Sequence, residues 1–421
     1  MNTSLPPTLS ARRQKLETVG LMLLFGTMYF VQGVAEPTEG LIAQPVRSLL
    51  RRWEYSTFAI STFSFLLALP WVFKPIYGLL TDFVPLCGTR RRSYLLLTTG
   101  VTVLGLLLLY SIPAARGQHT LLLLLLVAPT IGVAFGDVVV DGLMVEKGQP
   151  RGLTGRLQSV QWASMYAATM LAGWLGGYLS HHNHQQLGFL LCAGATLVTF
   201  VLAWFFVREE RQVASAGALQ TAARELGGAA RTPAVVVAAL FLLLWNFNPF
   251  SASVLENHMT RSLGMSEQFT GWTVVLLSAG AIAGSLAYGL YCRRVSLQGL
   301  FHGAVLAGIL STLAYWGLKD QMSASIISAI VGFTYMSGSL VQLDLAARAC
   351  PASAAGTTFA LLMGLSNLSL MLSALIGGYL YDSWSTAWGT TNAFNALVGF
   401  GAMTTSACWL LTPAIRRITA S

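Results

Sequence analysis

The chain reads as an all-α membrane protein whose twelve transmembrane helices form two six-helix bundles, with both termini in the cytoplasm. Three observations predict this. Of the 421 residues, 54% are hydrophobic and only 10% charged, against roughly 25% charged in an average soluble protein. A soluble domain cannot bury so much apolar side chain, whereas a bilayer solvates it. The apolar residues are gathered into runs of the length that a spanning helix needs, about 20 residues. One short pattern also recurs: Gly176-Gly177-Tyr178-Leu179 and Gly377-Gly378-Tyr379-Leu380 stand 201 positions apart, as do Gly155 and Gly356.

In chain order the runs lie near 19–46, 56–79, 94–112, 119–143, 155–179, 186–207, 234–256, 268–291, 297–317, 321–345, 355–380 and 391–413. Ahead of the first stand Arg12, Arg13, Lys15 and Glu17, and no small-residue cleavage site follows it, so it is expected to be a retained helix and not a signal peptide. With the N-terminus inside, the inner segments hold 18 Lys and Arg, counting Arg156 at the inner edge of the fifth run, and the outer ones six, with Lys74 inside the second run. Such a bias sets orientation in a bilayer. The longest internal polar stretch, Arg208 to Pro233, follows the sixth run and reads as a cytoplasmic linker. The expected units are a bundle over 1–207, the linker 208–233 and a bundle over 234–421, in the cell (inner) membrane.

Composition also excludes functions. No stretch is long and polar enough for an ATPase module, and no G-x-x-x-x-G-K-[ST] loop occurs, so any transport is secondary or facilitated. The net charge of +9 is scattered between apolar runs and predicts no nucleic-acid partner. Cys87, Cys192, Cys292, Cys350 and Cys408 are odd in number and lack C-x-x-C spacing, as expected of apolar filler. His181, His182 and His184 fall in an outer loop without a Cys or acidic companion, so a solvated loop is expected there and no metal. H-E-x-x-H is absent. An aspartyl peptidase is disfavoured by the order of Gly136-Asp137 and Tyr381-Asp382 and by Ala134 where a glycine is needed. Neither an enzyme nor a cofactor is expected.

After the second run comes Gly78-Leu79-Leu80-Thr81-Asp82, then Gly88-Thr89-Arg90-Arg91-Arg92. This resembles the signature of the major facilitator superfamily, whose plan of paired helical repeats matches the duplication. The fuller string from Lys74-Pro75-Ile76-Tyr77 to Arg92-Ser93-Tyr94 is similar to the folate-biopterin transporter family within that superfamily. So are Tyr29-Phe30-Val31-Gln32-Gly33, Gly136-Asp137-Val138-Val139-Val140-Asp141, Leu345-Ala346-Ala347-Arg348-Ala349-Cys350-Pro351 and Ser366-Asn367-Leu368. The resemblance runs from about residue 28 to 380. It implies import of folates or related pterins, linked to protons. The chain departs from the family after Gly33, where a basic, Gly/Leu-rich stretch gives way to Val34-Ala35-Glu36-Pro37-Thr38-Glu39-Gly40. Two other readings remain open: a permease for a different solute, such as a small peptide or sugar–peptide conjugate, and a non-transporting assembly or sensor protein. Retention of Asp82 and Arg90 to Arg92 argues against the second.

Ionisable residues within apolar runs are functional candidates because burying charge in a bilayer is costly. Glu36 and Glu39, three apart, are expected to share a helix face and to couple protons. Asp137 and Asp141 share another face and are assigned with Lys74, Asp82, Arg90, Arg91 and Arg92 to a charge network that gates or braces the cytoplasmic end. Lys74 either snorkels to the interface or pairs with Asp137. Asp344 and Arg348 are spaced for an intrahelical pair. For a flat heterocycle, rings for stacking and amides for edge hydrogen bonds come from Gln161 and Trp162, from Trp245, Asn246 and Asn248 beside Pro249, and from Asn367; Gln158 is expected to join helices instead.

Overall fold

The computed structural model describes residues 7–112, 118–151, 153–209, 227–228, 230–291, 294–350 and 355–415. The apolar runs become helices: α1 (Pro7–Ala35), the short α2 (Ala43–Arg52), α3 (Thr57–Ala68), α4 (Lys74–Phe83), α5 (Arg92–Ser111), α6 (His119–Gly148), α7 (Thr154–His181) and α8 (Gln185–Phe206). After them come α9 (Pro233–Asn246), the short α10 (Ala252–Asn257), α11 (Glu267–Tyr291), α12 (Leu297–Leu313), α13 (Gln321–Ala349), α14 (Ala355–Trp388) and α15 (Thr390–Ala407). Ten helical stretches among the described residues are long and apolar enough to cross a membrane, and the protein is an integral, multi-pass one. Residues 210–226 and 229 of the expected linker lie outside the described residues, as does Cys292.

Proline and glycine decide where the long helices break. The second run is helical from Thr57 to Phe83 but tightens into a 3-10 turn over Leu69–Phe73, which contains Pro70 and ends ahead of Pro75. Each proline removes a backbone donor and crowds the preceding turn. α1 stops at Ala35, before Pro37, and the chain folds back so closely that a Cβ on Gly40 would stand 2.5 Å from the Glu36 carbonyl oxygen. In the same way α9 stops at Asn246, ahead of Pro249, before Ser251 caps α10 through the Val254 N–H. Each half of the chain therefore begins with an apolar helix, of 29 residues in the first half and 14 in the second, followed by a break and a short helix.

The buried apolar clusters divide by half. Phe25, Met28, Tyr29, Leu95 and Leu143 belong to one cluster, and Ile42, Leu50, Phe63 and Leu126 to a second. The later residues form their own: Val254, Tyr315 and Phe394; Phe241, Phe301 and Val305; Val235, Leu242 and Leu362. The halves meet where α7 packs on α11 and where α3 and α4 pack on α14.

The repeated glycines are what let them meet. A Cβ on Gly177 of α7 would lie 3.0 Å from Gly271 Cα of α11, and one on Gly378 of α14 would lie 2.4 Å from Ser61 Oγ of α3. Their neighbours face inward: a Cβ on Gly176 would sit 3.0 Å from the Leu41 carbonyl oxygen, and one on Gly377 would sit 1.7 Å from that of Pro249. In both halves the first glycine of the pair thus admits the break of its own half, and the second admits the opposite half. All four act at one end of the molecule, opposite the end where α1 starts; we call it the far end.

Because a Cβ on Gly271 would meet the Gly173 carbonyl oxygen at 2.2 Å, Gly271→Val should wedge α7 from α11. Spin labels on the exposed far-end turns at Asn183 and Lys319 should then move apart; an unchanged distance would mean that this packing does not set the separation.

Candidate functional site

At the far end the halves are joined by buried charge. Arg47 of α2 donates from Nε to Glu256 Oε2 at 2.9 Å and from Nη2 to Oε1 at 2.7 Å, a two-pronged pair. Arg51, one turn on, donates to Glu256 at 3.0 Å and to Glu267 at 2.8 Å. The Arg51 side chain is 4% exposed and that of Glu256 6%. Further hydrogen bonds surround the cluster: Gln44 Nε2 to the Glu267 carbonyl at 2.7 Å, the Arg261 guanidinium to the Arg51 carbonyl at 2.6 Å, and Asn257 Nδ2 to Thr57 Oγ1 at 2.6 Å. Asp382 of α14 caps α3 across the interface, accepting from the Phe58 N–H at 2.7 Å and the Thr57 N–H at 3.2 Å. Arg47 and Glu256 hold matching places, each on the short helix after the break in its half.

Sequence reading missed this cluster. Arg47, Arg51 and Arg52 entered it only as three outer charges that run against the positive-inside bias, and that anomaly was the available signal. Glu256, a carboxylate at the end of the run 234–256, was a weaker signal, and Glu267 gives none.

A second polar set lies inside the first half. Lys74, at the start of α4, forms an ion pair with Asp137 of α6 and rides over the Trp71 ring, 4.6 Å from its centroid. Of the two readings open for Lys74, the pairing with Asp137 is the one the structure contains. Gln32 of α1 also donates to Asp137. Asp141, one turn along, accepts from Tyr29 Oη at 2.6 Å and from Gln161 Nε2 at 3.1 Å. The 3-10 turn carrying Trp71 lies against α14 of the other half, where a Cβ on Gly364 would be 3.3 Å from the Val72 carbonyl oxygen. Trp162, 41% exposed, stacks on Tyr166, whose hydroxyl meets Met336 across the interface.

Glu36 and Glu39 do not share a helix face, because α1 ends at Ala35 and both sit in the turn beyond it. The Glu36 carboxylate closes that turn, accepting from the Thr38 N–H at 2.9 Å, the Thr38 hydroxyl and the Glu39 N–H. Glu39 is exposed, next to Thr38, whose carbonyl accepts from Arg47 at 3.2 Å.

The second half contributes neutral groups. Asn246 donates to the Leu242 carbonyl at 2.9 Å and to Gln342 at 3.4 Å, and Gln342 donates to Ser366 at 3.3 Å. Asn248 accepts from the Phe250 N–H at 3.2 Å and so braces the break. Trp245 is enclosed in its half's core beside Phe241, and its indole N–H meets no acceptor among the described residues. Asn367 is half-buried on α14 and Gln158 exposed on α7. The amide and indole candidates are thus spread over α7, α9 and α14 and do not form one cluster.

At the other end Arg91 is a hub within the first half: Nη2 reaches Asp82 at 2.5 Å and Glu146 at 2.8 Å, and Nη1 reaches Thr81 at 2.8 Å. Burial works against the Arg91 charge, but Asp82 and Glu146 outweigh it and raise its pKa. Glu209 accepts from the Arg91 and Arg92 N–H groups, each at 2.8 Å, while Arg90 bonds the Asp82 carbonyl and Arg92 that of Trp204. Arg348 pairs with Asp344 at 3.1 Å. Of the three histidines expected in a loop, His181 ends α7 and meets His182 edge-on, while His182 stacks on His184 and lies tilted against Tyr178.

Residues 32–412 match the BT1 family. The chain belongs to that family. It is 30% identical over 377 residues to the folate-biopterin transporter of Synechocystis sp. (strain ATCC 27184 / PCC 6803 / Kazusa), covering 85% of this chain and 74% of that protein. It is 25% identical over 349 residues to probable folate-biopterin transporter 6 of Arabidopsis thaliana, covering 75% and 67%. Among solved structures, the nucleoside transporter NupG superposes with a TM-score of 0.71 at 9% identity, over 93% of this chain and 98% of that one. A D-xylose-proton symporter superposes at 0.69 and 14% identity, over 95% and 98%. At such identities the likeness is one of fold, and the fold is that of facilitator-type transporters. This BT1 member is a membrane transporter and not an enzyme.

Removing one member of a buried ion pair strands the other, at a cost of about 3–5 kcal/mol, whereas replacing both by apolar residues is close to neutral. Arg47→Ala or Glu256→Ala alone should therefore lower the unfolding temperature in detergent, and the pair Arg47→Met with Glu256→Met should recover most of the loss. Additive losses would show that the two residues do not act together.

Proposed function

We propose that this transporter crosses the cell (inner) membrane twelve times, as bundles over 1–207 and 234–421 joined by a cytoplasmic linker at 208–233. In this reading it imports folate- or pterin-like solutes by alternating access. α7, with 28 residues, and α9 continued by α10 supply the two spans beyond the ten long apolar ones. Both termini are then cytoplasmic and the far end is outside. The observation that carries alternating access is the Arg47–Arg51–Glu256–Glu267 cluster: it joins separately packed halves at one end through contacts that a rigid-body rocking motion breaks and remakes. The relatives' names supply the substrate class, and the exposed Trp162 ring offers a face on which a flat heterocycle can stack.

Proton coupling falls to Glu39. Glu36 is occupied by three donors of its own turn, whereas the Glu39 carboxylate is free to change surroundings as the far end opens and closes. A carboxyl that alternates between wet and enclosed states alternates in proton affinity.

In proteoliposomes, uptake of labelled pterin against its gradient should require an inward proton gradient. Glu39→Gln should abolish that accumulation and keep substrate exchange, since exchange needs no net proton movement; accumulation by Glu39→Gln at the normal level would remove Glu39 from coupling. Cysteines placed at Arg208 and Thr232 should react with a membrane-impermeant reagent from the cytoplasmic face, and reaction from the outside would overturn the topology.

A further inference from the structure

We infer that Tyr335 of α13 is the second-half contact of the substrate site: with Trp162 and Tyr166 of α7 it forms an aromatic lining drawn from both halves, on which a planar heterocycle stacks while bridging them. This rests on the proposed transport of a pterin-like solute and adds the residue through which the second half holds it.

Helix geometry places the α7 rings. Successive residues advance about 100° around a helix, so Trp162, Tyr166, Gly173 and Gly177 fall within about 60° of one another. Three of the four touch the second half: Gly173 and Gly177 pack against Gly271 of α11, and the Tyr166 hydroxyl meets Met336 of α13. Trp162 stacks on Tyr166 with ring centroids 6.1 Å apart and is 41% exposed, so it stands where that contact ends and the gap between the halves begins.

Tyr335 looks into the same gap. It is 48% exposed near the middle of the 26-residue apolar stretch Gln321–Ala346. A tyrosine that faces lipid sits at the water interface, where its hydroxyl finds partners, and not at mid-depth. Exposed Met322, Ile326 and Ile330 mark the lipid side of α13, and by the same helical advance they lie about 140–180° around the helix from Tyr335. Its own side carries Ser339, beside the phenol, and Gln342, which reaches Asn246 of α9 and Ser366 of α14. Two neighbours fix the phenol between the halves: it is in electrostatic contact with Tyr166 of α7 and with the Glu39 carboxylate beyond α1. Because Trp162 and Tyr335 belong to different halves, rocking one half against the other changes the separation of their rings. The heterocycle is gripped in one arrangement and released in the other.

Counterflow of labelled biopterin into biopterin-loaded proteoliposomes reads this contact. Tyr335→Leu should raise the half-saturating concentration at least about fivefold, the low end of what loss of one ring–heterocycle stack costs, while Tyr335→Phe, which keeps the ring, should stay within about twofold of the unaltered protein. In a background without native cysteines, biopterin should slow modification of Tyr335→Cys by a polar thiol reagent and leave that of Lys319→Cys, on the exposed far-end turn, unchanged. The labelling arm decides the matter if Tyr335→Leu fails to assemble. Tyr335→Leu binding as well as Tyr335→Phe overturns the inference, as does modification of Tyr335→Cys at the same rate with and without biopterin. Absence of biopterin counterflow in the unaltered protein instead overturns the substrate reading on which the inference rests.

Discussion

The structure turns on four enclosed charges, Arg47 and Arg51 from one half and the buried Glu256 and partly buried Glu267 from the other. Charges taken out of water lose their hydration, and their mutual attraction restores it only when the geometry is good and every donor is used. Here Arg47 engages Glu256 with two nitrogens, and Arg51 is shared between both glutamates. Such a cluster adds little net stability over an apolar one, but it enforces register, because any other juxtaposition of the halves strands a charge. Shape makes this geometry reachable: glycines at 177 and 271 on one seam and at 378 on the other bring the backbones close enough for side chains of α2 to reach α10 and α11.

The helix breaks serve the same end. A continuous α1 would carry Arg47 away along its axis; the turn over Glu36 to Gly40 redirects the chain so that α2 lies at the interface. Glu36 holds that turn by accepting its N–H groups, so a carboxylate that looked like a moving part in sequence is a local brace. The break before α4 does the corresponding service for Lys74, bringing its ammonium to Asp137 instead of letting it run to the membrane surface. In both places proline ends the regular hydrogen bonding and polar side chains complete what the backbone leaves open.

What the sequence made legible was local or periodic. Helical runs, the glycine pairs 201 positions apart and the i, i+4 pair of Asp344 and Arg348 rest on patterns within a turn or on exact recurrence, and all are in the structure. The Arg91 hub was legible as a basic cluster after Asp82, although which arginine would be central was not. Pairings across the halves were hidden, since nothing near Glu256 marks a partner 209 positions earlier. The helix face expected for Glu36 and Glu39 failed because a proline between them outweighs the apolar run that contains them. Gln161, read as a ligand amide, is directed at Asp141, a demand visible only once α6 and α7 are side by side.

The account stands or falls on whether the far end must open during transport. Asn257 and Thr57, whose side chains meet at 2.6 Å across the interface and carry none of the four charges, are replaced together by cysteine in a background without native cysteines, and transport is measured before and after oxidation. Closing that disulfide should stop transport and reduction should restore it, with each single cysteine variant unaffected by the oxidant. Undiminished transport with the disulfide fully formed would contradict the account, because the halves would then be working without separating at this end.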